Sequence, residues 1–225
     1  KYTFEILDYF SKGDRQTYID IGSWIGPTVL YASSKFEKVV AIEPDPVALK
    51  ELEGNIAVNN FSNISVVGKA LSTKDGKTSF GGHGMLGNSE STMLVDTDKY
   101  MERSKRKPKG EIAILEVETI CIQTLMAKLD LNPHELGLIK MDIEGGEIVV
   151  VPCLRDFLNK YKIPLYISFH YVFLCKKDVH DLINILFDIY DKCFIFRTAK
   201  AGNFVKKAVD KTYVIENCIT SMVFE

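Results

Sequence analysis

The sequence predicts an α/β fold, with a mostly parallel sheet and helices on both of its faces. Short apolar runs alternate with longer segments whose apolar residues have helical spacing, which is the pattern of βαβ units. The runs near residues 137 and 165 are almost continuously apolar, as in strands that are buried on both faces. Gly22 and Gly26 follow the first run directly, where a tight βα turn can approach a ligand closely.

The elements follow in chain order from these patterns. Pro27 suits the first turn of a helix, because its missing N–H has no partner there. Helices are predicted at Phe4–Phe10, after Gly26, at Asp45–Asn59, at Glu147–Leu158 and at Lys177–Tyr190. Strands are predicted at Thr17–Ile21, Lys38–Glu43, Ile64–Val67, Gly137–Asp142, Leu165–His170 and Cys193–Arg197, with a last strand or hairpin at Thr212–Glu216 and Ile219–Phe224.

Length and composition indicate one globular enzyme domain over residues 1–225. The chain is 46% hydrophobic and 26% charged, close to globular averages. Its net charge of −2 argues against a general nucleic-acid binder, and no apolar run is long enough to span a bilayer. The five cysteines are scattered without metal-site spacing, which is typical of free thiols in a reducing compartment. We therefore expect a cytoplasmic protein with neither a membrane span nor a nucleic-acid partner.

An irregular insert is predicted from about residue 73 to residue 111. Four glycines interrupt regular structure there, and a basic cluster follows them. The insert is interpreted either as a solvated surface loop or as a mobile flap that attracts an anionic acceptor. The glycines are Gly81, Gly82, Gly84 and Gly87, and the basic residues are Lys99, Arg103, Lys105, Arg106, Lys107 and Lys109.

The first glycine turn and the acid after the second strand together predict a nucleoside site. Glu43 lies 21 residues after Gly22, close to the offset of about 20 at which such an acid meets ribose hydroxyls. A dinucleotide loop needs a glycine where Trp24 stands, so an NAD-dependent oxidoreductase is the weaker alternative. The candidate cofactor-binding residues are Asp20, Gly22, Ser23, Trp24, Ile25, Gly26, Glu43, Pro44, Ala70 and Asp142.

The segment Lys140–Glu147 reads K-M-D-I-E-G-G-E and resembles the K-x-D-x-E-G-x-E block of the FkbM family of methyltransferases. The resemblance implies a class I methyltransferase fold, Rossmann-like, with a seven-stranded sheet whose last strand is antiparallel. It also implies S-adenosylmethionine as cofactor and O-methylation of a sugar or another small-molecule hydroxyl, so the acceptor is a small molecule or a glycan. The chain departs from the family at Ser23 and Trp24, where Ala and Asn are usual, and at Ser168, where an acid is usual.

Asp142, Glu144 and His170 are the candidate catalytic residues. A hydroxyl is a poor neutral nucleophile, so methyl transfer to it needs a base within hydrogen-bond reach. The sequence does not choose among the three. Asp142 and Glu144 are also explained, with Glu147, as an acidic N-terminus of the following helix. One alternative is a divalent ion held by Asp142 together with His170, since carboxylates suit hard cations. We expect a metal-free centre, because Ser168 replaces the acid that would complete a coordination sphere. A non-catalytic binding or scaffold protein on the same fold is the main alternative, since a fold alone does not establish activity.

Overall fold

The computed structural model describes residues 2–83, 85–95, 112–171, 173–198 and 204–225. Its helices in these ranges are α1 (Thr3–Phe10), α2 (Pro27–Ser33), α3 (Pro46–Asn59), α4 (Ile122–Lys128), α5 (Glu147–Tyr161), α6 (Lys176–Ile189) and α7 (Lys211–Glu216), with a 3-10 turn at Pro133–Glu135. Its strands are β1 (Thr17–Ile21), β2 (Lys38–Ile42), β3 (Ile64–Val67), β4 (Ala70–Leu71), β5 (Gly76–His83), β6 (Ile112–Ile120), β7 (Leu136–Met141), β8 (Leu165–Ser168), β9 (Cys193–Thr198), β10 (Phe204–Val209) and β11 (Ser221–Phe224).

Eight of the described strands form one sheet in the order β10-β9-β11-β8-β7-β1-β2-β3. The five strands from β8 to β3 in this order pair in parallel, whereas β11 is antiparallel to both β8 and β9. The chain runs outward from β1 through β2 to β3 and later returns to the other side of β1 with β7. Strand order therefore reverses between β1 and β7, and ligands of open α/β sheets bind beyond the carboxyl ends of strands at such a point.

Alternation along β1 and β2 builds one hydrophobic core on each face of the sheet. Tyr18 belongs to one core together with α1, α2 and α3, while Ile19 belongs to the other together with α5 and α6. Successive side chains of a strand point to opposite faces, so both cores share the same central strands. Covering both faces buries all five residues of β1, which explains the continuous apolar character of these strands.

The predicted irregular insert is wrong for its first part, because residues 76–83 form β5 in a second sheet of order β4-β6-β5. Gly81 and Gly82 lie inside this strand rather than breaking it. A Cβ atom on Gly81 would lie 1.9 Å from the carbonyl oxygen of Ala113 on β6, so glycine permits close strand approach here. Gly84 and the basic cluster at residues 99–109 lie outside the described residues, so the flap remains a prediction.

Two C-terminal expectations also need correction. Residues 212–216 were expected in a strand but lie in α7, because the Asp210 side chain accepts a hydrogen bond from the Tyr213 N–H at 2.7 Å and caps the helix. The main sheet has eight described strands instead of seven, since Phe204–Val209 forms a hairpin with β9. The antiparallel last strand is confirmed at Ser221–Phe224.

None of the helices within the described ranges is both long enough and apolar enough to cross a membrane.

Candidate functional site

A cleft of about 560 Å³ opens over the point where strand order reverses. Loops after β1, β2 and β7 form one side of it, and the small second sheet with the segment at residues 88–93 forms the other. Apolar side chains provide most of its wall, and carboxylates lie at its edge. Its lining residues are Ile21, Gly22, Trp24, Ile42, Glu43, Pro44, Ala70, Leu71, Phe80, Asn88, Ser89, Ser91, Met93, Asp142, Ile143 and Glu144.

Gly22 sits at the narrowest backbone approach in the cleft. Its φ is +84°, and a Cβ atom there would lie only 2.1 Å from the Asp142 carbonyl oxygen. The N–H groups of Gly22 and Ser23 both donate to the Ile42 carbonyl oxygen, at 3.0 and 3.2 Å. Glycine is therefore required here for two reasons, the left-handed backbone conformation and the lack of space for a side chain. The two hydrogen bonds hold the turn to β2.

Three other candidate cofactor residues support the turn from behind the cleft rather than lining it. The buried Ser23 hydroxyl donates to the Asp20 carbonyl oxygen at 3.0 Å and accepts from the Ile42 N–H at 3.1 Å. The Ile25 carbonyl accepts from the Asn55 side chain at 2.9 Å. Gly26, at φ +96°, packs against α3, where a Cβ atom would meet Leu52 at 2.5 Å. These residues shape the loop.

Glu43 lies at the end of β2, only 6% exposed, and its carboxylate spans two loops. Its two oxygens accept hydrogen bonds from the Trp24 N–H at 2.7 Å and from the Asp45 N–H at 2.8 Å. Burial raises the pKa of Glu43 to about 7. The two backbone hydrogen bonds act in the opposite direction, because they stabilise the ionised carboxylate. Trp24 adopts φ +49°, an uncommon conformation for a bulky residue, and this directs its N–H to the carboxylate.

Asp20 is fully buried and does not line the cleft. One of its oxygens pairs with the Lys140 ammonium at 2.9 Å, and the other accepts a hydrogen bond from the Thr28 hydroxyl. Lys140 is also buried; burial alone would lower its pKa, but the charges of Asp20 and Asp142 outweigh that effect and raise it. Asp20 therefore braces β1, α2 and β7 against one another, as a buried carboxylate paired on both oxygens.

Asp45 attaches the segment at residues 87–91 to the start of α3. One carboxylate oxygen caps the helix by accepting from the Val47 N–H at 2.9 Å. The other accepts from the Gly87 N–H at 2.7 Å and from the Ser91 hydroxyl at 3.2 Å. The Trp24 indole N–H donates to the Gly87 carbonyl oxygen at 2.9 Å. The serine-containing segment is thus held over the cleft from two sides.

Asp142, Glu144 and His170 come together at the carboxyl end of β7. His170 Nε2 lies 3.2 Å from an oxygen of Asp142 and 3.2 Å from an oxygen of Glu144. On its other side, His170 Nδ1 lies 3.1 Å from the carboxylate of Glu147, which is fully buried. The structure therefore brings the three predicted catalytic residues into contact and adds Glu147 as a fourth member.

The shared contacts separate the pKa values of these groups. Burial alone would lower the pKa of His170, but hydrogen bonds to Asp142 and Glu147 outweigh it and raise that pKa to about 10. Burial would raise the pKa of Asp142, yet the His170 hydrogen bond and the Lys140 charge hold it below its ordinary value. For Glu144 burial dominates, and repulsion from Asp142 and Glu147 adds to it, so its pKa rises to about 7.

The family model described as the methyltransferase FkbM domain matches residues 20–192, most of the chain. The chain belongs to the FkbM methyltransferase family. The matched range begins at Asp20 and includes the glycine turn, Glu43 and the whole Lys140–Glu147 block. None of the curated proteins compared with the chain matches it.

One solved structure agrees with the FkbM assignment at the level of the fold. Methyltransferase FkbM from Methylobacillus flagellatus KT aligns with a TM-score of 0.54 at 20% identity, covering 94% of this chain and 43% of that one. The chain therefore spans less than half the length of this relative. The putative methyltransferase SMU.1697c from Streptococcus mutans, in complex with SAH, aligns with a TM-score of 0.46 at 10% identity, over 100% of this chain and 98% of that one. The class I, Rossmann-like methyltransferase fold expected from the sequence is confirmed.

Three residues with defined places in this FkbM-type site had no predicted role. Lys140 and Glu147 belong to the block that indicated the family, but that block does not reveal that Lys140 pairs with Asp20 or that Glu147 orients His170. Asp45 carried an ordinary N-cap signal before Pro46, and only the fold reveals its second set of partners.

Proposed function

We propose that this protein is an S-adenosylmethionine-dependent methyltransferase that methylates a hydroxyl of a sugar or another small molecule. One observation carries the proposal. Glu43, Asp142 and Glu144 line a single cleft over the reversal point between β1 and β7, on a chain of the FkbM family. That arrangement combines an acceptor for ribose hydroxyls with titratable groups that can handle the proton of a methyl acceptor.

The residues present fit the nucleoside part of this cofactor. A carboxylate has about four acceptor positions, and the Trp24 and Asp45 N–H groups use two of those on Glu43. Two positions remain for the two hydroxyls of a ribose. Ala70 and Phe80 add apolar surface in the same cleft, which suits a flat adenine ring. Gly22 lines the same cleft without a side chain.

When bound, S-adenosylmethionine supplies an electrophilic methyl group on a sulfonium. The residues of this chain then have to align the acceptor, exclude water and remove a proton. Glu144 is the best-suited base, because its pKa of about 7 lets it change protonation state near neutral pH. His170 stays protonated at that pH, and the pKa of Asp142 is too low for a strong base. We therefore assign His170 and Asp142 to positioning Glu144 and the acceptor.

A binding protein on the same fold is the second candidate. Ser168 favours it, because this residue at the end of β8 replaces the acid expected there and contacts only the Ser221 hydroxyl, at 3.3 Å, among the hydrogen-bond partners described. Turnover decides between the two candidates. An acceptor screen with glycans and small hydroxylated compounds, read by mass spectrometry as the gain of one methyl group, should identify a product. A cytoplasmic location and a small-molecule or glycan acceptor are part of this proposal.

Calorimetry with S-adenosylmethionine, its demethylated product and NAD tests the cofactor assignment. The first two ligands should bind, and NAD should not. Glu43→Gln should weaken binding by about 10- to 150-fold, since a hydrogen bond to a charged group contributes about 1.5–3 kcal/mol. Glu53→Gln is the matched control, because Glu53 is exposed on α3 away from the cleft. Equal affinity of the Glu43 variant and the wild type would remove the central assignment.

A further inference from the structure

Three atoms that could bind a metal ion converge beside the cleft. They are His170 Nε2, one oxygen of Asp142 and one oxygen of Glu144, and all lie within 4.8 Å of one another. Both carboxylate oxygens lie 3.2 Å from Nε2. At these separations the two carboxylates need a positive charge at Nε2, which the imidazolium proton supplies in the ion-free protein and a bound cation would supply in its place.

Glu147 determines which nitrogen of His170 faces this point. An ionised carboxylate can only accept, so the contact of 3.1 Å makes Nδ1 the donor to Glu147. Nε2 is therefore the nitrogen that faces Asp142 and Glu144, and a bound cation would take the place of its proton. A carboxylate behind a histidine is the usual orienting partner of a metal-binding imidazole.

A second observation also points to a cation. Glu147 is fully buried beside Nδ1 of His170, so it adds a third carboxylate to the cluster. In the described part of the chain, Lys140 and His170 are the cationic groups that form salt bridges to Asp142, Glu144 or Glu147. Lys140 is mainly engaged with Asp20, at 2.9 Å against 3.8 Å to Asp142. Three carboxylates therefore share little more than one imidazolium.

We propose that Asp142, Glu144 and His170 bind one divalent cation of the Mn²⁺ or Mg²⁺ type beside the methyl acceptor. Adjacent ligands of an octahedral ion at about 2.1 Å lie roughly 3.0 Å apart, close to the two separations seen here. Two carboxylates favour a hard cation, and one imidazole is compatible with Mn²⁺. This site departs from the metal-free centre expected from the sequence, because Glu144 supplies the second carboxylate that Ser168 does not.

The inference deepens the proposed function and rests on it for the role of the cation, but not for its binding. Three protein ligands leave open positions, where an acceptor hydroxyl can coordinate and become more acidic. Its O–H bond breaks and the proton passes to the free oxygen of Glu144. The new alkoxide oxygen then forms a bond to the methyl carbon, while the sulfur–carbon bond breaks and sulfur keeps the electron pair.

Titration of the purified wild-type protein with Mn²⁺, followed by electron paramagnetic resonance, tests the site without an acceptor. One Mn²⁺ per chain should bind, and Mg²⁺ should compete for it. Asp142→Asn, Glu144→Gln and His170→Ala should each weaken Mn²⁺ binding at least tenfold. The variant Glu116→Gln, which removes an exposed carboxylate on β6, should bind Mn²⁺ like the wild type. Absence of stoichiometric Mn²⁺ binding to the wild type would overturn the proposal, whether or not the variants fold.

The two proposals fail separately in this design. Glu43→Gln should lose cofactor affinity and keep Mn²⁺ affinity. Glu144→Gln should lose Mn²⁺ affinity and keep cofactor affinity. If the wild type binds S-adenosylmethionine and transfers its methyl group equally well with and without a chelator, the role of the cation in the transfer is refuted and the proposed function stands. If Mn²⁺ binds tightly while cofactor does not, the cation site is supported and the proposed function is wrong.

Discussion

The pH dependence of cofactor affinity should report the ionisation of Glu43. The ribose hydroxyls would donate to this carboxylate, so its ionised form should bind them better. With a pKa of about 7, roughly nine-tenths of Glu43 is ionised at pH 8 and roughly one-tenth at pH 6. Affinity for the demethylated cofactor should consequently fall up to about tenfold from pH 8 to pH 6, which is about 1.4 kcal/mol.

The stability of the ligand-free protein should change in the opposite direction. The folded-state pKa of Glu43 is raised from 4.5 to about 7, so the folded protein binds more protons than the unfolded chain between these values. The contribution of Glu43 to the free energy of unfolding is therefore fully present at low pH and decreases as the pH rises toward 7. Between pH values below 4.5 and above 7, the contribution of Glu43 to the free energy of unfolding changes by about 3 kcal/mol, at about 1.4 kcal/mol per pKa unit.

Calorimetric titrations at pH 6, 7 and 8 measure the first effect, and urea unfolding at pH 5, 6 and 7 measures the second. Glu43→Gln removes the titrating group, so its affinity and stability should both lose this pH dependence. Glu144 also has a pKa of about 7 and lines the same cleft, so Glu144→Gln serves as the control and should keep the wild-type slope of cofactor affinity. A Glu43→Gln variant that retains the full tenfold change would refute the reasoning.

Two further predictions concern the frame of the site. Lys140→Met leaves Asp20 buried without its cation and should lower the free energy of unfolding in urea by about 3–5 kcal/mol. Adding Asp20→Asn should recover part of that loss, and a single-variant loss below about 1 kcal/mol would contradict the pairing. Gly22→Ala should destabilise the protein and abolish cofactor binding, because the added Cβ would lie 2.1 Å from the Asp142 carbonyl oxygen at a φ of +84°. Its control, Gly54→Ala, has open space inside α3 and should stabilise by about 0.5–1 kcal/mol; a harmless Gly22 variant would show that the turn tolerates side chains.

The sequence by itself determined the fold class, the order of most elements and the location of the cleft. These are encoded locally, because βαβ alternation, glycine turns and buried apolar strands each depend on residues close together in the chain. Gly22 and Glu43 could be paired from their spacing, since parallel strands place successive βα turns at the same edge of the sheet. The family block likewise located Asp142 and Glu144 at the end of a central strand.

Only the tertiary structure decided which side chains meet. His170 is 28 residues beyond Asp142 in the chain, and no local pattern predicts that its ring lies 3.2 Å from both Asp142 and Glu144. The same is true of Lys140 and Asp20, which are 120 residues apart and become partners because β7 returns beside β1. The glycines in β5 were misinterpreted for a related reason. Whether a position in β5 requires glycine depends on how closely the neighbouring strand β6 approaches it. Non-local packing sets the pairings, the burial and hence the pKa values on which the chemistry of this site depends.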